Sequence, residues 1–219
     1  LKPGELPERW NIEHEEEIIS LHYNYFLAGA NIIKTNTFGA NNLKFSQDKN
    51  DPYSLESIIT KAVKNAKEAR RRIEEMPLKE GVTPLGVDVA KAPHFIALDM
   101  GPTGKLLKPL GDLDYEEAIQ LYSQIVKIGT AAGADLILIE TMNDSYETKA
   151  AVIAAKENSN LPIFVTTVYD EEGKLLTGAN PAAMTALLEG LGVSAFGMNC
   201  SLGPAQMKGI VPSLVKVAS

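Results

Sequence analysis

The chain contains a single cysteine, Cys200, between a short apolar run and a Gly-Pro pair. The surrounding residues, 192–204, read G-V-S-A-F-G-M-N-C-S-L-G-P. We interpret Ser194 to Met198 as a buried strand and Gly203-Pro204 as the start of a helix, because proline is favoured at the first helical position. The thiol therefore lies where a strand ends and a helix begins. In parallel α/β folds, active sites are built at that edge.

Cys200 also has a purely structural interpretation. A lone cysteine in an intracellular protein is often a small hydrophobic residue that fills the core. The two interpretations differ in where they place the sulfur, which is buried in the core in one case and located at the strand edge in the other.

A second candidate is Glu140, which closes the apolar run L-I-L-I-E at residues 136–140. Burying an unpaired carboxylate is costly, so this side chain must be solvated, paired or shifted in pKa. The ammonium group of a bound amino acid would be a suitable partner. Polar residues also end the other predicted strands, either to form a site at one edge or simply because strand ends meet solvent: Asn36, Thr37, Asp99, Thr166, Thr167 and Asn199.

The elements that must position these residues alternate along the chain. Strands are expected to begin near residues 32, 95, 136, 163 and 195, with a helix between each pair. Continuous apolar strands that alternate with helices predict a parallel sheet covered by helices. An eight-unit βα barrel takes about 250 residues, so this chain is expected to form most of a barrel.

Composition excludes several classes of function. The net charge is -7, from 28 acidic and 21 basic residues, so the basic surplus needed to bind nucleic acid is absent. No apolar run reaches the roughly 18 residues that span a membrane, and nothing at the start resembles a signal peptide. One cysteine cannot form an intramolecular disulfide, which favours a reducing cytoplasm.

Other enzyme classes lack their signatures here. A lyase using Glu140 as its base would need a phosphate loop or a histidine cluster, and the sequence contains neither. His14 and His22 have no partner at metal-ligand spacing, so we interpret them as surface or packing residues. His94 precedes a predicted strand, which favours a structural or exposed role.

Six blocks of the sequence resemble, in order, those of the homocysteine S-methyltransferase family, the zinc-thiolate domains of methionine synthases and betaine–homocysteine methyltransferases. The resemblance covers nearly all of the chain, and the second block is closest to the cobalamin-dependent methionine synthase branch. The blocks are G-A-N-I-I-K-T-N-T-F-G-A-N, D-M-G-P-T-G-K-L-L-K-P-L-G, G-A-D-L-I-L-I-E-T, K-A-A-V-I-A-A-K, L-T-G-A-N-P and G-M-N-C-S-L-G-P.

The resemblance implies a (βα)8 TIM barrel that is incomplete in this chain. The family's opening D-G-A-M-G-T strand and its closing G-G-C-C block are absent from the sequence. We therefore expect one homocysteine-binding barrel domain over residues 1–219, truncated at both ends, without strand 1 and strands 7–8.

The resemblance also assigns roles to residues. Cys200 would be one of three zinc ligands, with the other two cysteines expected beyond Ser219. Glu140 would hold the homocysteine amino group, and Thr37 and Phe38 would line the pocket. Asp99 lies in a matching block without an assigned role, and a supporting hydrogen bond is the expectation.

The implied reaction is zinc-dependent methyl transfer to the homocysteine thiol, which gives methionine. Zinc would deprotonate the substrate thiol, so no enzyme nucleophile is required. One thiolate cannot hold catalytic zinc, so the segment alone is expected to be inactive. The donor could be methylcobalamin on another domain of a polypeptide that also carries a folate-binding domain. The alternatives are betaine, S-methylmethionine, or a non-catalytic barrel module in which Cys200 is inert.

Overall fold

The computed structural model describes residues 4–45, 52–77 and 88–219. Its strands are β1 (Ile32–Lys34), β2 (Phe95–Met100), β3 (Leu136–Met142), β4 (Ile163–Thr167) and β5 (Ala195–Met198). The predicted strand positions are thus confirmed. The α-helices in these ranges are α1 (Trp10–Glu13), α2 (Glu15–Leu27), α3 (Asn42–Phe45), α4 (Leu55–Glu74), α5 (Tyr115–Ala132), α6 (Ser145–Asn158), α7 (Pro181–Gly190), α8 (Pro204–Met207) and α9 (Val211–Val215), with short 3-10 helices at Pro7–Arg9 and Val89–Lys91.

The chain divides into two compact units. The first comprises Leu1–Asp99 and Ile128–Leu136, and the second comprises Met100–Lys127 and Ile137–Ser219. Strand pairing within each unit is parallel, as the alternation of strands and helices predicts. The chain therefore has an α/β fold with parallel strands.

The first unit is built on β1, β2 and the long helix α4. Ile33 of β1 lies opposite Ile96 of β2, and both are buried. They belong to one apolar cluster with residues of α2 and α4, whose apolar side chains recur every three or four positions and so share one helix face. The other members of this cluster are Ile19, Phe26, Ala66, Ala69, Ile73 and Val89.

The basic run at residues 61–72 is the polar side of α4, as its helical spacing predicts. Arg72 pairs with Glu16 of α2 and with Glu68, and Lys61 pairs with Glu15 at 2.5 Å. Hydrogen bonds from Arg71 and Arg72 lower the pKa of Glu68 to about 2. These cations are engaged in ion pairs within the unit.

The second unit is built on β3, β4 and β5. Ile139 of β3 lies opposite Val165 of β4, which in turn lies opposite Phe196 of β5. Ile139 and Val165 are fully buried, and the alanine-rich face of α6 is buried as well. The pair Asn180-Pro181 predicts the cap and the first residue of a helix. This prediction is confirmed, because Asn180 caps α7 by accepting a hydrogen bond from the Ala183 amide at 2.9 Å.

Helix ends differ from those that the sequence predicts. The pattern predicts a first long helix over residues 13–28, and α2 begins at Glu15 because His14 has non-helical backbone angles of φ -135° and ψ 50°. Ser145 is a predicted cap for α6, but Asp144 takes this role, because its carboxylate accepts the Tyr146 amide at 2.7 Å. A single last helix is predicted from Pro204 to about residue 216, and the structure has two short helices, α8 and α9, separated at residues 208–210.

The sequence also predicts a short strand at residues 85–89. That stretch falls largely outside the described residues, and Val89 begins a 3-10 helix. His94 is buried and its ring packs edge-on against Phe26 with centroids 4.6 Å apart, so its structural role is confirmed. Over the described ranges, every helix is too short or too polar to cross a bilayer.

Candidate active site

The carboxyl ends of β3, β4 and β5 meet at one edge of the second unit. Met142 lies opposite Thr167, and Thr167 lies opposite Met198. Beyond these pairs, the Asn199 amide donates to the Thr167 carbonyl at 3.2 Å. Residues that follow the three strands therefore share one rim, which we call the second-unit rim.

Cys200 lies on this rim and is exposed. Interpretation of the residue as core filler is therefore wrong. Its backbone is left-handed, with φ 60°, and Ser201 follows with φ 58°. Residues with a Cβ rarely adopt this conformation, which costs roughly 1–2 kcal/mol each. Strained backbone of this kind is common at functional sites. Here the left-handed angles turn the chain sharply at Cys200.

A third left-handed residue, Thr141, has φ 63° and lies in β3 directly after Glu140. Its amide donates a hydrogen bond to the Thr166 hydroxyl at 3.3 Å. Its own hydroxyl accepts a hydrogen bond from the Asn199 side chain at 2.9 Å. The ends of β3 and β5 are thus joined by side chains next to both Glu140 and Cys200.

Glu140 is half-buried near the end of β3. The pairing register of β3 with β4 shifts between Ile139 and Met142, so Glu140 lies within an irregular part of the strand. Glu140 and Cys200 thus each adjoin one partner of the hydrogen bond between Thr141 and Asn199. The sequence predicts that the strand ends at Glu140, whereas β3 continues to Met142.

The remaining predicted residues belong to the first unit. Thr37 is fully buried, and its hydroxyl donates to the Asp99 carbonyl at 2.7 Å. The hydroxyls of Thr35 and Thr37 lie 2.7 Å apart, and Thr35 accepts the Asp99 amide at 3.1 Å. Since Thr37 uses its proton on the carbonyl, Thr35 must donate to Thr37. Phe38, beside this network, is 41% exposed.

The loop that carries Phe38 is hydrogen-bonded to two residues near the start of the chain. The Glu8 carboxylate accepts the Gly39 amide at 2.6 Å, and a Cβ at Gly39 would lie only 2.6 Å from that same oxygen. The Asn11 side chain donates to the Asn36 carbonyl at 2.8 Å. A side chain at position 39 would therefore displace the Glu8 carboxylate from the loop. The loop is bonded to the chain on both sides of Phe38.

Sequence reasoning missed the buried carboxylate Glu147, in the first turn of α6. Its Oε1 accepts hydrogen bonds from the Thr103 amide at 2.8 Å, the Thr103 hydroxyl at 2.6 Å and the Tyr122 hydroxyl at 3.0 Å. Burial raises the pKa of the Glu147 carboxyl, although these hydrogen bonds oppose the shift. The D-x-x-E spacing from Asp144 was a signal, but it predicts a helix-capping role for this glutamate.

Zinc is the metal that the family resemblance implies for this site. Catalytic zinc usually takes three protein ligands plus water or substrate. In the described part of the chain, no three His, Cys, Asp or Glu side chains group in a way that could hold a metal ion. Cys200 is the only cysteine in the sequence. These residues alone do not fit a catalytic zinc site.

Comparison with known proteins gives one family. The model of the homocysteine S-methyltransferase family matches residues 5–219. The chain is 32% identical over 193 residues to a methionine synthase of Mycobacterium tuberculosis and 30% identical to that of Mycobacterium leprae. In each case the match covers 86% of this chain but only 15% of the relative.

Solved structures agree on the fold. The metallated form of the homocysteine methyltransferase MmuM from Escherichia coli is similar with a TM-score of 0.79 at 23% identity, over 96% of this chain and 71% of that one. The apo form gives a TM-score of 0.73 at 20% identity, over 99% of this chain and 73% of that one. With the family match over nearly the whole sequence, these findings show that the chain belongs to the homocysteine S-methyltransferase family.

Proposed function

We propose that this chain is the homocysteine-binding part of an enzyme that transfers a methyl group to the sulfur of homocysteine and so forms methionine. The observation that carries the proposal is the family match over residues 5–219. The hydrogen bond between Asn199, next to Cys200, and Thr141, next to Glu140, supports it, because a substrate bound by one end and reacting at the other needs both groups near each other.

Glu140 is proposed to bind the homocysteine ammonium. The carboxylate lies near the end of β3 and is half-buried, where an ion pair is less screened than on an open surface. Thr37 and Phe38 are proposed to contribute to the pocket in different ways. The exposed ring of Phe38 offers apolar surface, whereas the buried hydroxyl of Thr37 fixes the backbone beside it.

Cys200 is proposed as one of several zinc ligands, the others coming from polypeptide beyond this segment. Its exposure and its rim position leave the sulfur accessible to an ion. The proposed domain is accordingly an incomplete TM barrel over residues 1–219.

Methyl transfer to homocysteine requires the substrate sulfur to be deprotonated and aligned with the methyl group. The bond between sulfur and the methyl carbon forms as the bond between the methyl group and its donor breaks, and the thiol proton is lost. A free thiol is mostly protonated at neutral pH. The contribution of Glu140 to this step is to hold the amino end of the substrate, so that the sulfur is aligned with the incoming methyl group.

The donor is proposed to be methylcobalamin, carried on another domain of the same polypeptide, together with a folate-binding domain. The block at residues 99–111 supports this choice through its resemblance to the cobalamin-dependent branch. The chain spans 15% of the length of the methionine synthases that it matches, which is consistent with further domains. A cytoplasmic location is proposed from the single cysteine.

The metal proposal is tested by measuring zinc in the intact protein and in its Cys200→Ala variant. We expect close to one zinc per chain in the parent and at least a tenfold loss in the variant, because removal of a thiolate breaks the ligand set. Ser201→Ala is the matched control on the same turn and should keep its zinc. Unchanged zinc in Cys200→Ala would eliminate the ligand role, and no zinc in any form would favour a non-catalytic binding module.

The substrate proposal is tested by calorimetric titration of L-homocysteine into the intact protein under reducing conditions. Glu140→Gln keeps the shape of the side chain but removes its charge, so the Kd should rise about 10- to 100-fold, as expected for loss of a partly buried charged hydrogen bond. Glu157→Gln, an exposed change on α6, should leave the Kd unchanged. Equal affinities for all three proteins would remove Glu140 from the substrate site.

A further inference from the structure

The buried carboxylate of Glu147 lies outside the proposed substrate and metal groups. It belongs to α6, which begins three residues after β3 ends, and its Oε1 accepts three hydrogen bonds. Two of the donors belong to Thr103, in the loop G-P-T-G at residues 101–104 that follows β2. Both residues and this loop lie in the second unit.

A third group closes the same cluster. The Tyr122 hydroxyl of α5 lies 3.0 Å from Glu147 Oε1 and 3.2 Å from the Gly101 carbonyl. Thr103, Tyr122 and Glu147 are all nearly inaccessible to solvent. The loop is thus fixed at its third residue through Glu147, and the Tyr122 hydroxyl shares its one proton between Glu147 and the carbonyl of the first loop residue.

The position of Glu147 in its helix makes this arrangement unusual. With Asp144 as the cap, Glu147 stands where a capping-box glutamate would turn back to the cap amide. Its hydrogen bonds in the described structure run instead to Thr103 and Tyr122. The side chain therefore serves the neighbouring loop rather than its own helix.

Loops that follow strands at their carboxyl ends line the active sites of βα folds. We infer that Glu147 is a positioning residue for the homocysteine site, acting by holding the loop at residues 101–104 against the start of α6. The inference rests on the proposed function. A short segment of the chain then links Glu140, which is proposed to bind the substrate, to Glu147, which holds the loop at residues 101–104.

The test is carried out on the intact protein with Glu147→Ala, Glu147→Gln and Thr185→Val. Hydrogen exchange of the Thr103 amide should accelerate at least tenfold in Glu147→Ala, because its acceptor is gone. Glu147→Gln keeps an acceptor oxygen and should restore most of the protection. Thr185 is a buried threonine whose hydroxyl bonds to Pro181 within α7, so its variant reports general loss of stability.

Homocysteine affinity, measured by calorimetric titration, separates positioning from stability. We expect Glu147→Ala to raise the Kd at least fivefold, Glu147→Gln to recover it, and Thr185→Val to leave it unchanged. If the parent binds homocysteine and Glu147→Ala binds it equally well, or if Thr103 exchange is unaffected, the inference fails while the proposed function stands. If the parent itself does not bind homocysteine, the proposed function fails, and with it the inference.

Discussion

His22 is a buried histidine on α2 that the proposed reaction does not use. The residue is 5% exposed, and its Nε2 has no hydrogen-bond partner among the described residues. Burial lowers the pKa of the imidazole to about 4, because a charged ring would lose its hydration. The neutral ring is therefore part of the folded state.

This shift predicts a pH dependence. The unfolded chain takes up a proton on this residue near pH 6.5, whereas the folded chain resists until about pH 4. The stabilisation from the neutral ring is thus complete above pH 6.5 and falls as the pH drops toward 4, by about 2 kcal/mol at pH 5. Exchange of the imidazole carbon-bound hydrogen, followed by mass spectrometry, should titrate near pH 4 for His22. A midpoint above pH 6 would contradict the prediction.

At the residue scale, sequence reasoning found groups whose chemistry is visible in their type. Cys200 could be predicted to follow a strand because it comes after an apolar run, and strands of that kind end at an active-site edge. The predicted strand end at Glu140 was two residues early, because β3 continues to Met142. The left-handed backbone at Thr141, Cys200 and Ser201 could not be predicted, because no glycine marks it. Glu147 was missed because its partners, Thr103 and Tyr122, are distant in sequence.

Helix α5 has a glycine in its interior whose role is packing. A Cβ on Gly129 would lie 2.4 to 2.5 Å from the two terminal carbons of Leu98, and Leu98 is fully buried in β2. Because Leu98 is buried, an added Cβ would force this leucine to shift within the core. The absence of a side chain at Gly129 therefore allows this close contact of helix and strand within the first unit.

We predict opposite effects for two glycine-to-alanine changes. Gly129→Ala should lower the free energy of unfolding of its unit by about 1–3 kcal/mol, since overpacking outweighs the better helix propensity of alanine. Gly190→Ala, at the end of α7, meets no atom within 4 Å and should be neutral or stabilising by up to about 1 kcal/mol. Amide exchange in α5 and α7 measures both effects, and equal protection of α5 in parent and Gly129→Ala would rule out the packing role.

At the scale of elements, the sequence predicted strands better than helix ends. Strands are marked by β-branched and apolar runs such as residues 136–139 and 163–165, and each begins where expected. Helix ends depend on which of several neighbouring side chains accepts the free amide groups of the first turn. Asp144 and Ser145 are both good caps, and only the folded geometry shows that Asp144 receives the Tyr146 amide.

At the scale of the whole molecule, family membership rests on a match over residues 5–219, whereas the proposed zinc chemistry needs more ligands than the described residues provide. The described residues provide one thiol and no complete metal site. Composition and strand order predicted the α/β fold class. The other zinc ligands and the methyl donor could not be derived, because neither leaves a physical trace in these residues.

The choice of methyl donor is a property of the intact protein and can be predicted. The intact protein, supplied with homocysteine, should form methionine from methylcobalamin at least tenfold faster than from betaine or S-methylmethionine, because the block at residues 99–111 resembles the cobalamin-dependent branch. Methionine is measured by mass spectrometry in three parallel reactions. Faster turnover with either of the other donors would reassign the branch while leaving homocysteine as the acceptor.

The left-handed turn at Cys200 and Ser201 limits which sequences this segment can carry. Glycine, asparagine and aspartate tolerate such angles, whereas valine or isoleucine at position 201 would drive the backbone toward an extended path and redirect the sulfur. Substitutions that adapt the site to a different methyl-accepting substrate should therefore accumulate in segments with ordinary backbone angles, such as the segment around Phe38. The turn itself should stay almost unchanged in any descendant that keeps its thiol in use.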